Sequence, residues 1–150
     1  MNAPIALAHE FVKSIPGKLE ERTLYVSMEY ATVTHKCCCG CGNEVVTPLT
    51  PTDWKLTYDG ESISLHPPIG NWNFPCQSHY WIRNSTVKWA DQWSREQIEA
   101  GRTFDRRAKK EYYTTEYSPP NGEKPVITER APNGAPRGSL WTRIVSWWSR

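Results

Sequence analysis

The sequence predicts an α+β fold that is rich in β-strand. It would consist of a small zinc-stapled antiparallel sheet of hairpins, one or two helices, a proline-rich linker and a C-terminal amphipathic helix. Three observations lead to this prediction: apolar residues alternate on both sides of Asp59-Gly60, cysteines cluster from Cys37 onwards, and the 150 residues include 8 Trp and 7 Tyr. Alternation is the period of a half-buried strand, and large flat side chains are favoured in strands.

The first elements are predicted from this period. Residues 1–20 show no alternation of apolar and polar residues, and they are expected to form an irregular arm that could include one helical turn. Residues 24–30 alternate apolar with polar or small side chains, which indicates a half-buried strand running on towards His35. A second short strand is predicted at residues 44–47, before Pro48.

The clearest local structure is a hairpin centred on Asp59-Gly60. Glycine tolerates the positive φ of a tight hairpin turn, so Asp-Gly between alternating apolar runs is a strong signal. Residues 67–72 are predicted to form a loop, and another strand pair is predicted at residues 79–82 and 87–89.

Helix is predicted only after this β-rich part. Ser94 with Gln97 three residues later matches a capping box, and the following residues favour helix to about Tyr113. Gly101 weakens the middle, so the segment could form two short helices. Residues 1–113 are therefore predicted to form the zinc-binding domain.

The C-terminal part divides in two. Residues 114–138 are rich in proline and turn-forming residues and are predicted to be a flexible linker, whereas residues 139–150 are predicted to form an amphipathic helix. Its apolar face consists of Leu140, Trp141, Ile144, Val145, Trp147 and Trp148. Such a face could contact a membrane surface or a partner, or it could cover an edge of the chain's own sheet.

The cysteines predict one zinc site. One loop offers Cys37, Cys38, Cys39 and Cys41, with Gly40 and Gly42 allowing tight curvature, and a second offers Cys76 and His79. Zinc takes about four such ligands, commonly from two separate loops, and a structural zinc contributes on the order of 10 kcal/mol to folding. Five or six candidates compete for four places, and the spacing alone leaves the choice open.

Composition narrows the function classes. The 18 Lys and Arg nearly balance the 16 Asp and Glu, so no nucleic-acid partner is expected. No segment reaches the roughly 20 apolar residues that span a bilayer. The expected compartment is the cytoplasm, where clustered cysteines bind metal rather than form disulfides.

Three motifs carry a resemblance: the cluster from Cys37 to Gly42, the segment from Pro67 to Trp72, and the segment from Cys76 to Arg83. With these motifs the stretch from about Glu10 to Trp93 resembles a bacterial zinc-binding family of unknown function. That family is encoded beside ubiquitin-like proteins, their activating enzymes and their conjugating enzymes.

The resemblance implies a zinc-binding domain that serves a ubiquitin-like conjugation pathway, with the ubiquitin-like protein or its conjugation enzymes as partners. The family pattern maps onto Cys37, Cys39 and Cys41 and leaves Cys38 as a variable position. The pattern usually has serine where this chain has Pro68, so the chain lacks a hydroxyl there.

Two function classes fit these motifs. A peptidase could process or remove the ubiquitin-like protein, with Glu44 as base for a zinc-bound water or Ser78 as nucleophile. Neighbouring strand residues point to opposite faces, so Ser78 is expected to bond nearby backbone rather than His79. Alternatively, a fully coordinated zinc would stabilise a protein-interaction module. Its aromatic anchors would come from Trp72, Tyr80, Trp81 and Trp89, which could equally be core residues.

Overall fold

In a computed structural model, which describes residues 4–116, the chain folds into nine strands and one helix. A four-stranded sheet contains β2 (Ala8–Phe11), β3 (Thr23–Ser27), β4 (Thr32–Lys36) and β5 (Glu44–Pro48) in that order. A five-stranded sheet has the order β1 (Ile5–Ala6), β9 (Thr86–Trp89), β8 (His79–Arg83), β7 (Ile63–Gly70) and β6 (Lys55–Tyr58). The predicted β-rich α+β class is confirmed.

The two sheets share one apolar core. Val26 and Val33 from the four-stranded sheet and Ile63, Tyr80 and Ile82 from the five-stranded sheet are all fully buried members of it. Side chains alternate along each strand of the five-stranded sheet, so the residues between these core positions form its outer face.

Local turn signals were reliable. The Asp59-Gly60 hairpin is confirmed: β6 pairs with β7 antiparallel, and Gly60 has a φ of +97°. The strand pair after the cysteine loops is confirmed as β8 and β9, joined through Asn84 and Ser85, both with positive φ.

The N-terminal region differs from the prediction of an irregular arm. It contains β1 and β2, and β2 pairs with β3 in parallel. The segment between β2 and β3 contacts β3. Ser27 Oγ donates to the Lys13 carbonyl at 2.7 Å, and the Glu20 amide donates to the Tyr25 hydroxyl at 3.3 Å. All five residues of β3 are therefore buried, and the predicted half-buried strand is wrong.

Two boundaries also differ. The single strand predicted from residue 24 towards His35 is instead a hairpin of two strands, β3 and β4. The chain turns between them at Ala31, which has positive φ. The predicted loop at residues 67–72 begins later, since β7 continues to Gly70 through a cis His66-Pro67 bond and a shift of register.

The helix α1 is one element, Arg95–Glu116, and extends past Tyr113. Ser94 and Gln97 form the predicted capping box, with hydrogen bonds of 2.8 and 3.3 Å in the two directions. Gly101 does not interrupt the helix: a Cβ there would meet the Trp93 ring at 3.1 Å, so glycine permits close packing. The predicted C-terminal helix and most of the predicted linker lie outside the described residues.

Candidate functional site

The first cysteine loop follows directly from β4. Cys37 comes one residue after the strand, and its amide donates to the Asn43 carbonyl at 2.8 Å, which closes the loop before β5. Gly40 and Gly42 have φ values of +84° and +80°. Because other residues are strained at such angles, the glycines allow the loop to fold back and bring its sulfurs close to one another.

The second loop joins β7 to β8 and supplies Cys76. Its ends are held by a 2.9 Å hydrogen bond from the Asn71 amide to the Ser78 carbonyl, and Gln77 has positive φ within it. This geometry brings the Cys76 sulfur to 3.9 Å from that of Cys37 and 3.8 Å from that of Cys41.

Four sulfurs form the candidate metal centre: those of Cys37, Cys39, Cys41 and Cys76 all lie within 4.8 Å of one another. Zinc–sulfur bonds of about 2.3 Å place tetrahedral thiolates about 3.8 Å apart. The two distances to the Cys76 sulfur fit that figure, the Cys37 and Cys39 sulfurs are closer at 3.3 Å, and four soft donors suit zinc. The two predicted loops therefore meet in a group that could hold a metal ion.

The other predicted ligands lie apart from this group. The Nδ1 atom of His79 is 2.6 Å from the Asp91 carbonyl, and its ring packs against Trp72 and Trp93, with centroids 4.9 and 5.2 Å away. Its assignment as a ligand stays a prediction. Cys38 is outside the group, and burial raises the pKa of its thiol to about 12.

One cysteine of the group, Cys41, favours the thiolate form. Hydrogen bonding from the Asn43 backbone amide lowers the pKa of Cys41 to about 7, with Cys39 contributing in the same direction. Metals bind the thiolate, so this thiol requires little free energy to deprotonate near neutral pH. Glu44, considered above as a base, is exposed at the start of β5 and does not belong to the metal-binding group.

A buried polar network runs from the metal centre into the core. Ser78 Oγ lies 3.0 Å from the Cys37 sulfur and accepts from Asn71 Nδ2 at 2.9 Å. Asn71 Nδ2 also lies 3.4 Å from the Tyr80 hydroxyl, which is 2.9 Å from His35 Nε2. Burial lowers the pKa of His35 to about 4, so its ring is neutral.

This network differs from what the sequence indicated. Ser78 was expected to bond backbone, whereas its hydroxyl meets a sulfur and an amide side chain. The roles of Asn71, Tyr80 and His35 were not predicted, because their contacts join distant segments; Tyr80 and His35 are 45 residues apart. The only sequence signal was that Asn71 and Tyr80 fall in the motifs shared with the bacterial family.

A groove lies on the outer face of the five-stranded sheet, under α1. It encloses about 700 Å³, and its lining includes Trp54, Pro68, Gly70, Trp72, Trp93 and Phe104. The helix is fixed beside it by two contacts: Arg102 donates to Asn73 Oδ1 at 2.7 Å, and Lys109 pairs with Asp53 at 2.5 Å. Phe104 is 72 % exposed.

Position 68 and His79 lie on adjacent strands, β7 and β8. Gly70 pairs with His79 across β7 and β8, and Pro68 is two residues before Gly70 on the same strand. The contact of His79 Nδ1 with the Asp91 carbonyl fixes the ring and its tautomer. Among the hydrogen bonds of residues 4–116, none joins a serine hydroxyl to a histidine ring.

Comparison with known proteins gives one match. Residues 11–90, more than half of the chain, match the sequence profile of a family described as bacterial ubiquitination-like system serine protease (BubE). Searches of curated proteins and of solved structures found no match. Residues 4–116 include no helix with the length and apolar character needed to cross a membrane.

Proposed function

The chain belongs to the family of bacterial ubiquitination-like system serine proteases (BubE), and we propose that it binds a ubiquitin-like protein in the groove beside His79 without cleaving it. Membership makes the chain a component of a bacterial ubiquitination-like system. The observation that supports the finer proposal is Pro68, a residue without a hydroxyl on the strand adjacent to His79, at a position where the family pattern usually has serine.

Zinc has a structural role in this proposal. The four clustered sulfurs could fill all four positions of a tetrahedral ion, which would leave none for a reactive water. The ion would fasten the loop after β4, in one sheet, to the loop before β8, in the other. It would thereby hold Ser78 and His79 at the start of β8.

The groove supplies the binding surface. Trp54, Trp72 and Trp93 line it together with Phe104 of α1, and Trp and Tyr are the residues that most often dominate protein interfaces. Of the aromatic residues considered as anchors from the sequence, Trp72 contributes to the groove, whereas Tyr80 is a core residue. A groove of this kind accommodates an extended polypeptide end better than it accommodates a flat protein surface.

Cleavage would need a nucleophile beside His79. A serine at position 68 would be two residues from Gly70, the partner of His79 on the adjacent strand, and in this proposal its hydroxyl would approach the oriented imidazole. Proline removes that hydroxyl. Ser78 is no replacement, because its hydroxyl is engaged with Cys37 and Asn71 inside the protein.

The second candidate function is peptidase activity on the same ubiquitin-like protein. The family description favours it, and so does His79, whose ring is oriented as in a general base. In that case another hydroxyl of the chain would act as nucleophile.

The two candidates are separated by incubating the zinc-loaded full chain with the ubiquitin-like protein of the same gene cluster, extended at its C-terminus. Binding is followed by calorimetry and cleavage by mass spectrometry. We expect the wild type to bind without cleaving, Pro68→Ser to cleave, and Pro68→Ala, which also removes the ring but adds no hydroxyl, not to cleave.

Each outcome decides between the candidates. Cleavage by the wild type would overturn the binding-only function and support the peptidase, and absence of binding would overturn both. In the Pro68→Ser background, His79→Gln should abolish cleavage while binding persists. Zinc should not be required for cleavage beyond keeping the protein folded, so inactivation by a chelator without any loss of structure would argue against a structural role for the metal.

A further inference from the structure

The outer face of the five-stranded sheet carries a second surface, which adjoins the groove because Lys55 follows Trp54 and His66 precedes Pro67. Register pairs Lys55 with His66 across β6 and β7 and Trp81 with Lys88 across β8 and β9, and Arg83 lies two residues from Trp81 along β8. His66 pairs with Trp81 through their stacked rings. We call these five residues the cationic patch.

The patch is positive and open. Lys55, His66, Arg83 and Lys88 are exposed and Trp81 is half-buried. The depression that most of them line measures about 630 Å³, and no acidic side chain of the described residues contributes to its wall. The three ion pairs found between residues 4 and 116 all involve other cations: Lys36, Arg102 and Lys109.

Trp81 organises the patch. Its ring stacks with the His66 ring at a centroid distance of 5.7 Å, and the Arg83 guanidinium lies 4.4 Å from its centre. Contact with the ring face restrains the guanidinium, whose N–H groups can still bind an anion in its own plane. The long side chain of Arg83 is therefore ordered before any ligand arrives, which reduces the entropy lost on binding.

We propose that the cationic patch binds an acidic segment of a partner polypeptide. Planar guanidinium and flanking ammonium groups match carboxylates, which accept paired hydrogen bonds from arginine. A nucleic acid fits less well, because sequence-tolerant binding of single strands relies on open aromatic faces for base stacking. Here the half-buried ring of Trp81 is already in contact with His66 and Arg83.

This surface goes beyond the proposed function, since it recognises charge and needs neither the groove nor position 68. It shares the outer face with Pro68 and His79, because Trp81 follows His79 by two residues on β8. A polypeptide bound through acidic side chains at the patch would therefore lie along the same sheet face as the groove.

The test is fluorescence anisotropy of a labelled oligoglutamate peptide titrated with the zinc-loaded full chain at low salt. The double variant Arg83→Glu with Lys88→Glu should bind at least about tenfold more weakly than the wild type. The matched control is Lys13→Glu with Lys18→Glu, which changes the net charge equally at exposed positions elsewhere and should bind within about twofold of the wild type. Circular dichroism confirms that both variants are folded.

The affinity for oligoglutamate should also fall as the salt concentration rises from about 0.02 M to about 0.3 M, since the contacts are between exposed charges. No binding of oligoglutamate by the wild type would overturn the proposal, as would equal weakening in the two double variants. Tighter binding of a labelled oligothymidine than of oligoglutamate would replace the acidic polypeptide with a nucleic acid. Trp81→Ala, which removes the support of Arg83, should weaken oligoglutamate binding in the same direction.

Discussion

The hydroxyl of Ser78 lies 3.0 Å from the sulfur of Cys37, the most buried of the four clustered cysteines. With Cys37 as a thiolate, Ser78 donates its proton to the sulfur and accepts from Asn71 Nδ2. Asn71 adds a longer contact of its own to the same sulfur, at 3.5 Å. These donors stabilise a negative charge on an atom that water does not reach.

Ser78→Ala should therefore weaken zinc binding. Partners in the outer shell of a metal site typically change affinity by about 10- to 100-fold when removed, and we expect a loss in that range, measured by competition with a chromophoric chelator. Ser64→Ala is the matched control, because the Ser64 hydroxyl contacts only Asn84 on the outer face. An affinity for Ser78→Ala equal to that of the control would show that the hydroxyl does not act on the metal centre.

Substitution of ligands should separate the four-cysteine set from any set that includes His79. With cobalt in place of zinc, the sulfur-to-metal charge-transfer bands report how many thiolates bind. Cys41→Ser should reduce these bands, whereas His79→Gln should leave the spectrum unchanged, because Nδ1 of His79 meets the Asp91 carbonyl instead. A changed cobalt spectrum in His79→Gln, with Cys41→Ser unaltered, would support the ligand set that includes His79.

The hairpin between β6 and β7 should show a depressed carboxyl pKa. Hydrogen bonds from the Ser62 backbone amide, the Ser62 hydroxyl and the Glu61 amide lower the pKa of Asp59 from 3.8 to about 2. Because the folded pKa is below the unfolded one, this contact stabilises the fold fully above about pH 4 and is lost as the pH falls towards 2. A carboxyl titration followed by NMR should have its midpoint near 2 in the protein and near 3.8 in a peptide of residues 55–66. Equal midpoints would contradict the turn geometry.

Structure that depends on neighbouring residues was predictable. The Asp59-Gly60 turn and the capping box of Ser94 and Gln97 are short-range devices, and both form as the sequence indicates. The meeting of two cysteine loops was also predictable, since sets of cysteines from two separate loops are typical of metal sites.

Structure that depends on distant segments was not predictable in the same way. The parallel pairing of β2 with β3 and the covering of β3 by the preceding segment are both long-range, so the alternation in residues 24–30 suggested one exposed face that does not exist. Selection among the candidate ligands likewise depends on how two loops approach each other, and spacing along the chain does not contain that information.

The contact between Tyr80 and His35 joins the two sheets, because Tyr80 is on β8 and His35 is on β4. Both side chains are almost fully buried, and the other ring nitrogen of His35, Nδ1, already has no hydrogen-bond partner among the described residues. Tyr80→Phe would leave Nε2 without this partner as well. A buried polar atom deprived of its partner costs about 1–3 kcal/mol, so the free energy of unfolding should fall by that amount in urea titrations with saturating zinc.

Tyr58→Phe is the control for this measurement. Its hydroxyl donates to the Gly60 carbonyl at 2.8 Å at the protein surface, where water can replace it, so its loss should change the free energy of unfolding by no more than about 0.5 kcal/mol. If Tyr80→Phe were as stable as Tyr58→Phe, the hydroxyl would not contribute to joining the sheets. If it also bound zinc more weakly, the network through Asn71 would extend its effect to the metal centre, since Asn71 Nδ2 contacts both Tyr80 and Ser78.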